Sequence, residues 1–395
     1  MPTPRADINP SLLRWARESI GYSLDEAAQK LKLRGGTERL EEWEEGEGGP
    51  TVAQLRKAAQ VYRRPLAVFF LPEPPHDFQA LQDFRRLPGA PGRWSPDLHS
   101  AVIRAGEQRE ALRELAVILG DEPQPVPKVE ISKDVDVLAG RIRQFLGVAL
   151  DDQIGWRRPD VALKTWLAAV EERGVLILQT QKVAVEEMRG FALSDDSVAV
   201  IVLNGGDSRR GRIFTLIHEL VHVVLHSSGV CDLFPVSTVQ DEVDRTEVFC
   251  NQVAAAVLLP KEAFLGDRLV KDHGGDDWDN LLLSQLSDKY SVSREVILRR
   301  LLTVGKTTWD FYMAKRQEFI NEYKEAKEKK RAASTPKGLY YRLKVRDLGR
   351  PYVELALDAY HGAAISTSEI ADYLDVPVKG IERIEQEVGM TSGAE

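Results

Sequence analysis

Cysteine is scarce in this sequence, which has only Cys231 and Cys250 among its 395 residues. Neither belongs to a C-x-x-C pair, so a zinc cage built from thiolates is excluded. Scarcity of cysteine is typical of a reducing compartment, and we therefore expect the chain in the cytoplasm.

Long apolar runs are also missing, although hydrophobic residues make up 43% of the chain. No stretch reaches the ~18 uninterrupted apolar residues that mark a membrane-spanning helix. The first residues, Met1–Asp7, have no apolar core, so we expect no signal peptide and no membrane partner. An excess of positive charge is missing too: the formal net charge is −8, so any DNA contact must come from a local basic patch.

The sequence does contain the motif H-E-x-x-H, from His218 to His222, inside an apolar run that has neither glycine nor proline. The run predicts a helix, on which His218 and His222 share one face and can bind one Zn²⁺ from adjacent turns. Glu219 follows the first histidine, where its carboxylate can accept a proton from a water molecule that the metal activates. The same five-residue pattern also occurs by chance in ordinary buried helices. Taken alone, the motif therefore leaves open the alternative that it binds no metal.

Two histidines leave zinc short of ligands, so a third ligand is expected downstream. A helix rises about 12 Å from His218 to His226, which is too far for both side chains to reach one ion. Glu247 opens a second apolar helix over 247–260, and a carboxylate there could complete a His₂Glu site with an open position for water. The candidates for the third ligand are His226, Asp232, Asp241, Glu242, Asp244 and Glu247.

Residues 215–222 (T-L-I-H-E-L-V-H) and 247–260 (E-x-x-x-N-Q-V-A-A-x-V-L-L-P) together resemble the ImmA/IrrE family of zinc metallopeptidases. The resemblance covers about 160–305 and implies Glu247, four residues before Asn251, as the third ligand. It departs from the family at Val221, where Gly is frequent, and at Cys250, where Ala is frequent.

The resemblance also implies an activity: an endopeptidase that cleaves a repressor and so switches on phage, mobile-element or stress-response genes. We expect Zn²⁺ as the metal, with Mn²⁺ as an alternative in vitro. Three residues are predicted to assist the site without binding the metal, namely His226, Asn251 and Arg212. His226 and Arg212 are the candidates for stabilising the oxyanion.

Residues 10–72 contain short helical segments joined by glycine-containing turns, which indicates a helix-turn-helix module. S-L-D-E-A-A from Ser23, W-E-E-G from Trp43 and P-T-V-A-Q-L from Pro50 resemble the phage-repressor-like (XRE) domains. The helix expected in the major groove spans about 36–46, but its neighbourhood from 34 to 49 has two arginines and six glutamates. Glutamates repel phosphates, so protein docking or a regulatory role stands beside DNA binding as an alternative.

Two further helix-turn-helix patterns follow the motif. The first, over 286–302, carries Arg294, Arg299 and Arg300, which are the expected nucleic-acid contacts if the protein binds DNA; the alternative is packing against the back of the peptidase domain. The second, over 365–384, is acidic, so partner docking or homodimerisation is its expected role.

These patterns predict an α+β, predominantly helical protein with an N-terminal helix-turn-helix bundle, a zincin-like domain with a small β-sheet and a helical C-terminal region. The sheet is predicted from a strand over 174–179 and a hairpin of 188–193 with 197–204. The predicted segments are 1–75 (helix-turn-helix domain), 76–128 (linker and long helix), 129–305 (zinc peptidase domain) and 306–395 (helical region). The alternative function is a DNA-binding regulator or antitoxin-like protein whose metal domain is sensory or structural.

Overall fold

The structure, a computed structural model, describes residues 5–75, 82–83, 94–121, 126, 129, 132–194, 198–225, 229–231, 242–330 and 339–389. The chain divides into two compact units. Unit 1 comprises Met1–Leu81 and Leu87–Glu107, and unit 2 comprises Gln82–Arg86 and Gln108–Glu395. The division into four segments at 75, 128 and 305 stays a prediction.

Unit 1 contains short helices whose starts are set by local capping residues. Ser23 with Glu26 and Thr51 with Gln54 form capping boxes that satisfy free backbone N–H groups in a first helical turn. The helices are α1 (Pro10–Ser19), α2 (Leu24–Leu31), α3 (Gly36–Glu45), α4 (Val52–Tyr62) and the beginning of α5 (Pro96–Ile118), with a 3₁₀ turn at Leu66–Phe70.

The core of unit 1 combines apolar packing with one buried ion pair. Leu13, Trp43 and Tyr62 are among its buried side chains. Arg17 of α1 donates to both carboxylate oxygens of Glu44 of α3, at 2.7 and 2.9 Å. Glu44, one of the six glutamates of the acidic stretch, is therefore buried and joins α1 to α3 through its ion pair.

Unit 2 consists of a mixed β-sheet and the helices that pack around it. The strands are β1 (Gln82–Asp83), β2 (Leu176–Thr180), β3 (Gly190–Leu193), β4 (Val200–Asn204) and β5 (Gly229–Cys231), in the order β1-β5-β3-β4-β2. The helices are α6 (Val135–Leu146), α7 (Leu150–Gly155), α8 (Pro159–Glu171), α9 (Arg209–Val224), α10 (Glu242–Leu258), α11 (Lys261–Gly266), α12 (Arg268–Lys271), α13 (Asn280–Tyr290), α14 (Arg294–Thr303), α15 (Trp309–Lys330), α16 (Tyr340–Leu348), α17 (Arg350–His361), α18 (Thr367–Tyr373) and α19 (Ile381–Val388), with a 3₁₀ turn at Val378–Gly380.

The predicted hairpin is confirmed as the antiparallel pair β3 and β4, with Gly190 opposite Leu203. The predicted strand near 174–179 is β2, and it pairs with β4 in parallel. Strands β1 and β5 were not predicted, because segments of two and three residues are too short to show an alternating pattern.

Helix α9 lies at the centre of unit 2. It packs against α8, α10, β3 and β4, and every residue from Ile213 to Val224 is buried. A helix enclosed on all sides has to be apolar around its whole circumference, which explains the run that surrounds the motif.

Glycines permit two close backbone approaches around the sheet. A Cβ on Gly190 of β3 would lie 2.5 Å from Thr215 Cγ2 of α9, so the absence of a side chain brings the strand onto the helix. Gly349, between α16 and α17, has φ of +81°, and its Cβ would lie 2.6 Å from the carbonyl oxygen of Ile177 in β2. The C-terminal helices thus pack against β2.

These elements confirm the predicted α+β, predominantly helical fold class. Across the described residues, no helix combines the length and the apolar character that a membrane crossing requires.

Candidate metal centre

Helix α9 presents both histidines of the motif from adjacent turns. His218 and His222 are fully buried, and their Nε2 atoms lie 3.2 Å apart. The four-residue spacing produces this approach, because side chains at i and i+4 lie one above the other on a helix.

Helix α10 brings the carboxylate of Glu247 to the same point. Glu247 Oε1 lies 3.2 Å from His218 Nε2, and Oε2 lies 3.4 Å from His222 Nε2. One ligand atom from each of the three residues falls within 4.8 Å of the other two. Glu247 is buried, and α9 and α10 pack directly on each other, so the donor set is held by the core.

The electrostatics favour the protonation states that bind metal. Burial lowers the pKa of His218, against the attraction of the Glu247 carboxylate, and keeps the imidazole neutral. Burial opposes ionisation of Glu247, but the neighbouring His218 and His222 override it and lower the pKa of Glu247 to about 2. A neutral His218 imidazole and an ionised Glu247 carboxylate are donors that accept a divalent cation without first losing protons.

Glu219 is buried beside this donor set, immediately after His218 on α9. The nearest strand comes close to its side chain: a Cβ on Gly190 would lie 3.2 Å from Glu219 Cγ. Strand β3 therefore packs closely against the Glu219 side chain.

Residues 170–302 match the Peptidase_M78 family model, described as the IrrE N-terminal-like domain. The match contains α9, α10 and all three donors, covers about a third of the chain and supports the ImmA/IrrE resemblance. It supports a metallopeptidase site within the matched residues. The N-terminal bundle lies outside the match, so its resemblance to XRE domains stays a prediction. No curated protein matches the chain.

Of the described residues predicted to assist the site, Asn251 reaches the donor set. Asn251, one turn after Glu247 on α10, donates through Nδ2 to Glu247 Oε1 at 3.3 Å. Arg212 precedes His218 by six residues, about 9 Å along the helix, and donates instead to Gln179 Oε1 at 2.8 Å. Its predicted role at the oxyanion stays a prediction. His226 lies outside the described residues.

The predicted nucleic-acid contacts on α14 are also corrected. Arg300 is 0% exposed, and it donates to the Leu259 carbonyl oxygen and pairs with Asp136. Arg299 is 8% exposed and pairs with Glu295 at 3.4 Å. Packing within unit 2, which no local pattern encodes, leaves little or nothing of either guanidinium exposed, so the structure contradicts their predicted contact with phosphates.

The third arginine, Arg294, keeps partial exposure and pairs with Glu322 of α15. Its guanidinium also lies 4.3 Å from the ring centroid of Phe319. A contact of Arg294 with nucleic acid stays a prediction.

Three neighbours of the centre were not predicted to contribute to it. Cys250 Sγ lies 3.8 Å from His222 Nδ1, and burial raises the pKa of this thiol, which therefore stays protonated. The ring of Phe214 lies 6.3 Å from that of His218, and the Arg299 guanidinium lies 5.5 Å from the Phe214 ring. The helical spacing of Phe214 to His218 signals its position, whereas nothing local signals that of Arg299.

Proposed function

We propose that the chain is a zinc-dependent endopeptidase of the cytoplasm that cleaves a protein regulator, a repressor. The carboxylate of Glu247, placed between the two Nε2 atoms of an H-E-x-x-H helix inside an M78 domain, carries this proposal. Zinc is favoured over Mn²⁺ because two of the three donors are imidazoles, which suit zinc, whereas Mn²⁺ prefers oxygen ligands.

In this proposal His218, His222 and Glu247 hold the ion. Bound Zn²⁺ supplies Lewis-acid activation of a water molecule and of the scissile carbonyl. The Glu219 carboxylate accepts a proton from the attacking water and delivers it to the leaving amine. Asn251 orients Glu247 through the hydrogen bond to Oε1, a kind of support that tunes metal sites generally.

The test is to incubate the purified protein, with Zn²⁺ or with Mn²⁺, with a repressor encoded beside it. Wild type should cleave the repressor at one site, and Glu219→Gln should not, while both bind the same amount of metal. The matched loss of activity identifies Glu219 as the base. Equal cleavage by the two proteins, or none by either at full metal occupancy, would overturn the proposal.

A DNA-binding regulator with a structural or sensory metal is the second candidate, and the helical bundle of unit 1 favours it. Helix α3 weakens it, because Arg39, the basic residue on this helix, is paired with Glu42. This candidate requires salt-dependent binding to the protein's own promoter, so a lack of binding at low salt would count against it. Homodimerisation through the C-terminal helices stays a prediction.

A further inference from the structure

A half-open cavity of about 80 Å³ lies between α10, α14 and α15 and reaches Asn251, the neighbour of Glu247. Its apolar walls include Val248, Leu302, Trp309 and Tyr312, and its polar groups include Asn251 and Arg299. It has room for one amino-acid side chain but not for a folded partner.

Two walls of the cavity contact residues of the donor set or its neighbours. Asn251 lines the cavity and donates to Glu247 Oε1 at 3.3 Å. On the other wall, the Arg299 guanidinium lies 5.5 Å from the ring of Phe214, which in turn lies 6.3 Å from the ring of His218. An occupant of the cavity is therefore separated from Glu247 by one side chain, Asn251, and from His218 by two, Arg299 and Phe214.

Asn251, which lines this wall, also has an acceptor without a partner in the described part of the chain. The residue is 3% exposed, and among the described residues its Oδ1 has no hydrogen-bond partner. Its orientation is fixed because the Glu247 carboxylate accepts only, so Nδ2 must face it. A buried acceptor without a hydrogen-bond partner is rare in proteins. The backbone N–H of a bound peptide could supply the missing donor.

The remaining walls indicate an uncharged occupant. Trp309 stands at the cavity with 40% of its surface exposed, although tryptophan is highly buried on average. Arg299 is already paired with Glu295, so its charge does not demand an acid. Apolar walls with a few placed polar groups are typical of a ligand pocket.

We infer that this cavity binds an apolar or aromatic side chain of the protein substrate, next to the scissile bond, with Asn251 Oδ1 accepting a backbone N–H. The inference rests on the proposed peptidase function. It deepens that function by assigning a substrate preference to Val248, Leu302, Trp309 and Tyr312.

The experiment measures binding rather than turnover. Acetylated amides of Phe, Ala and Glu are titrated against the zinc-loaded full chain by saturation-transfer difference NMR. The Phe amide should bind wild type at least about tenfold more tightly than the Ala amide, the lower end of what size differences achieve in an apolar pocket. Leu302→Trp, which fills the cavity, should abolish this preference.

Two further variants control the result. Trp309→Ala removes a partly exposed wall with little risk to folding, and it should also reduce the preference. Leu281→Trp makes the same substitution at a 67% exposed leucine of α13 and should leave binding as in wild type. Thermal melts and zinc content establish that each variant is folded and loaded.

The outcomes separate this inference from the peptidase proposal. If the preference is present and is lost in Leu302→Trp and Trp309→Ala, the pocket stands even when no repressor is cleaved. If the repressor is cleaved but the three amides bind equally, or Leu302→Trp keeps the preference, the pocket assignment fails alone. Tightest binding of the Glu amide would overturn the apolar assignment and point to Arg299.

Discussion

The solvent exposure of a side chain in this protein depends on which distant segments pack around it. Arg294 and Arg300 lie on the same helix, yet one is partly exposed and the other is fully enclosed. Asp136, the partner of Arg300, is distant in the sequence, so no local pattern could have predicted the pair. The motif histidines and Glu219 were predictable because their spacing alone places them on α9.

Asn251 tests whether the hydrogen bond to Glu247 matters for the centre. Replacing it with alanine removes the Nδ2 donor that lies 3.3 Å from Oε1. We expect Asn251→Ala to weaken zinc binding by about 10- to 100-fold, the usual cost of losing such support. Competition with a chromogenic chelator measures the affinity. Gln252→Ala, at the next position of α10, should keep wild-type affinity, and equal affinities of all three proteins would contradict the role.

Gly190 tests the contact between β3 and α9. A methyl group there would lie 2.5 Å from Thr215 Cγ2 and 3.1 Å from the carbonyl oxygen of Val202. We expect Gly190→Ala to lower the free energy of unfolding by about 1–3 kcal/mol, the usual cost of overpacking a core. Urea unfolding measures it.

The matched control for Gly190 is Gly140 in α6, where an added Cβ would meet nothing within 4 Å. Gly140→Ala should stabilise the protein by about 0.5–1 kcal/mol, because alanine is the better helix former. A Gly190→Ala protein as stable as wild type would show that the strand does not press on the helix.

At the scale of elements, short-range signals predicted the helices, and long-range pairing decided the rest. Capping residues such as Ser23 and Thr51 announce α2 and α4. Gln153 of α7 donates to the carbonyl oxygens of Leu258 and Tyr290, at 3.0 and 2.9 Å. No local sequence pattern predicts these two hydrogen bonds. These hydrogen bonds join segments more than a hundred residues apart in the sequence. Their partners are therefore set by the tertiary fold and not by the local sequence.

The environment of Glu171 in α8 predicts a pH dependence. Burial and, to a smaller extent, the Glu354 carboxylate of α17 raise the pKa of Glu171 to about 7, against the opposing charge of Arg350. A carboxyl whose pKa is raised in the folded state favours folding below its unfolded value, about 4.5, and loses that contribution as pH rises through 7. Between pH 5 and 8 the loss is about 2 kcal/mol after allowance for partial solvent access.

Glu171→Gln should therefore raise the free energy of unfolding at pH 8 by about that amount and change it little at pH 5. Chemical denaturation at the two pH values measures both. Glu172→Gln, at the neighbouring exposed position, should show no such difference. A Glu171→Gln gain that is the same at both pH values would contradict the raised pKa.

The two units of the chain differ in the features that indicate a function. The M78 match and the donor set both lie in unit 2, whereas unit 1 contributes a helical bundle whose acidic α3 argues against tight DNA binding. The sequence predicted that His218, His222 and Glu247 come together, because the H-E-x-x-H spacing carries a strong local signal and the family resemblance pointed to Glu247. It predicted surfaces poorly, because exposure of residues such as Arg299 depends on the packing of the whole unit.

We propose that His218, His222 and Glu247 form one metal centre in which Glu219 is not a ligand. Zinc content per chain, measured by elemental analysis of wild type, Glu219→Gln and Glu247→Ala after equal zinc exposure and dialysis, tests it directly. We expect about one zinc per chain in wild type and in Glu219→Gln, and a large loss in Glu247→Ala, because two histidines alone leave the coordination incomplete. Full zinc occupancy in Glu247→Ala, or loss of zinc in Glu219→Gln, would contradict the account.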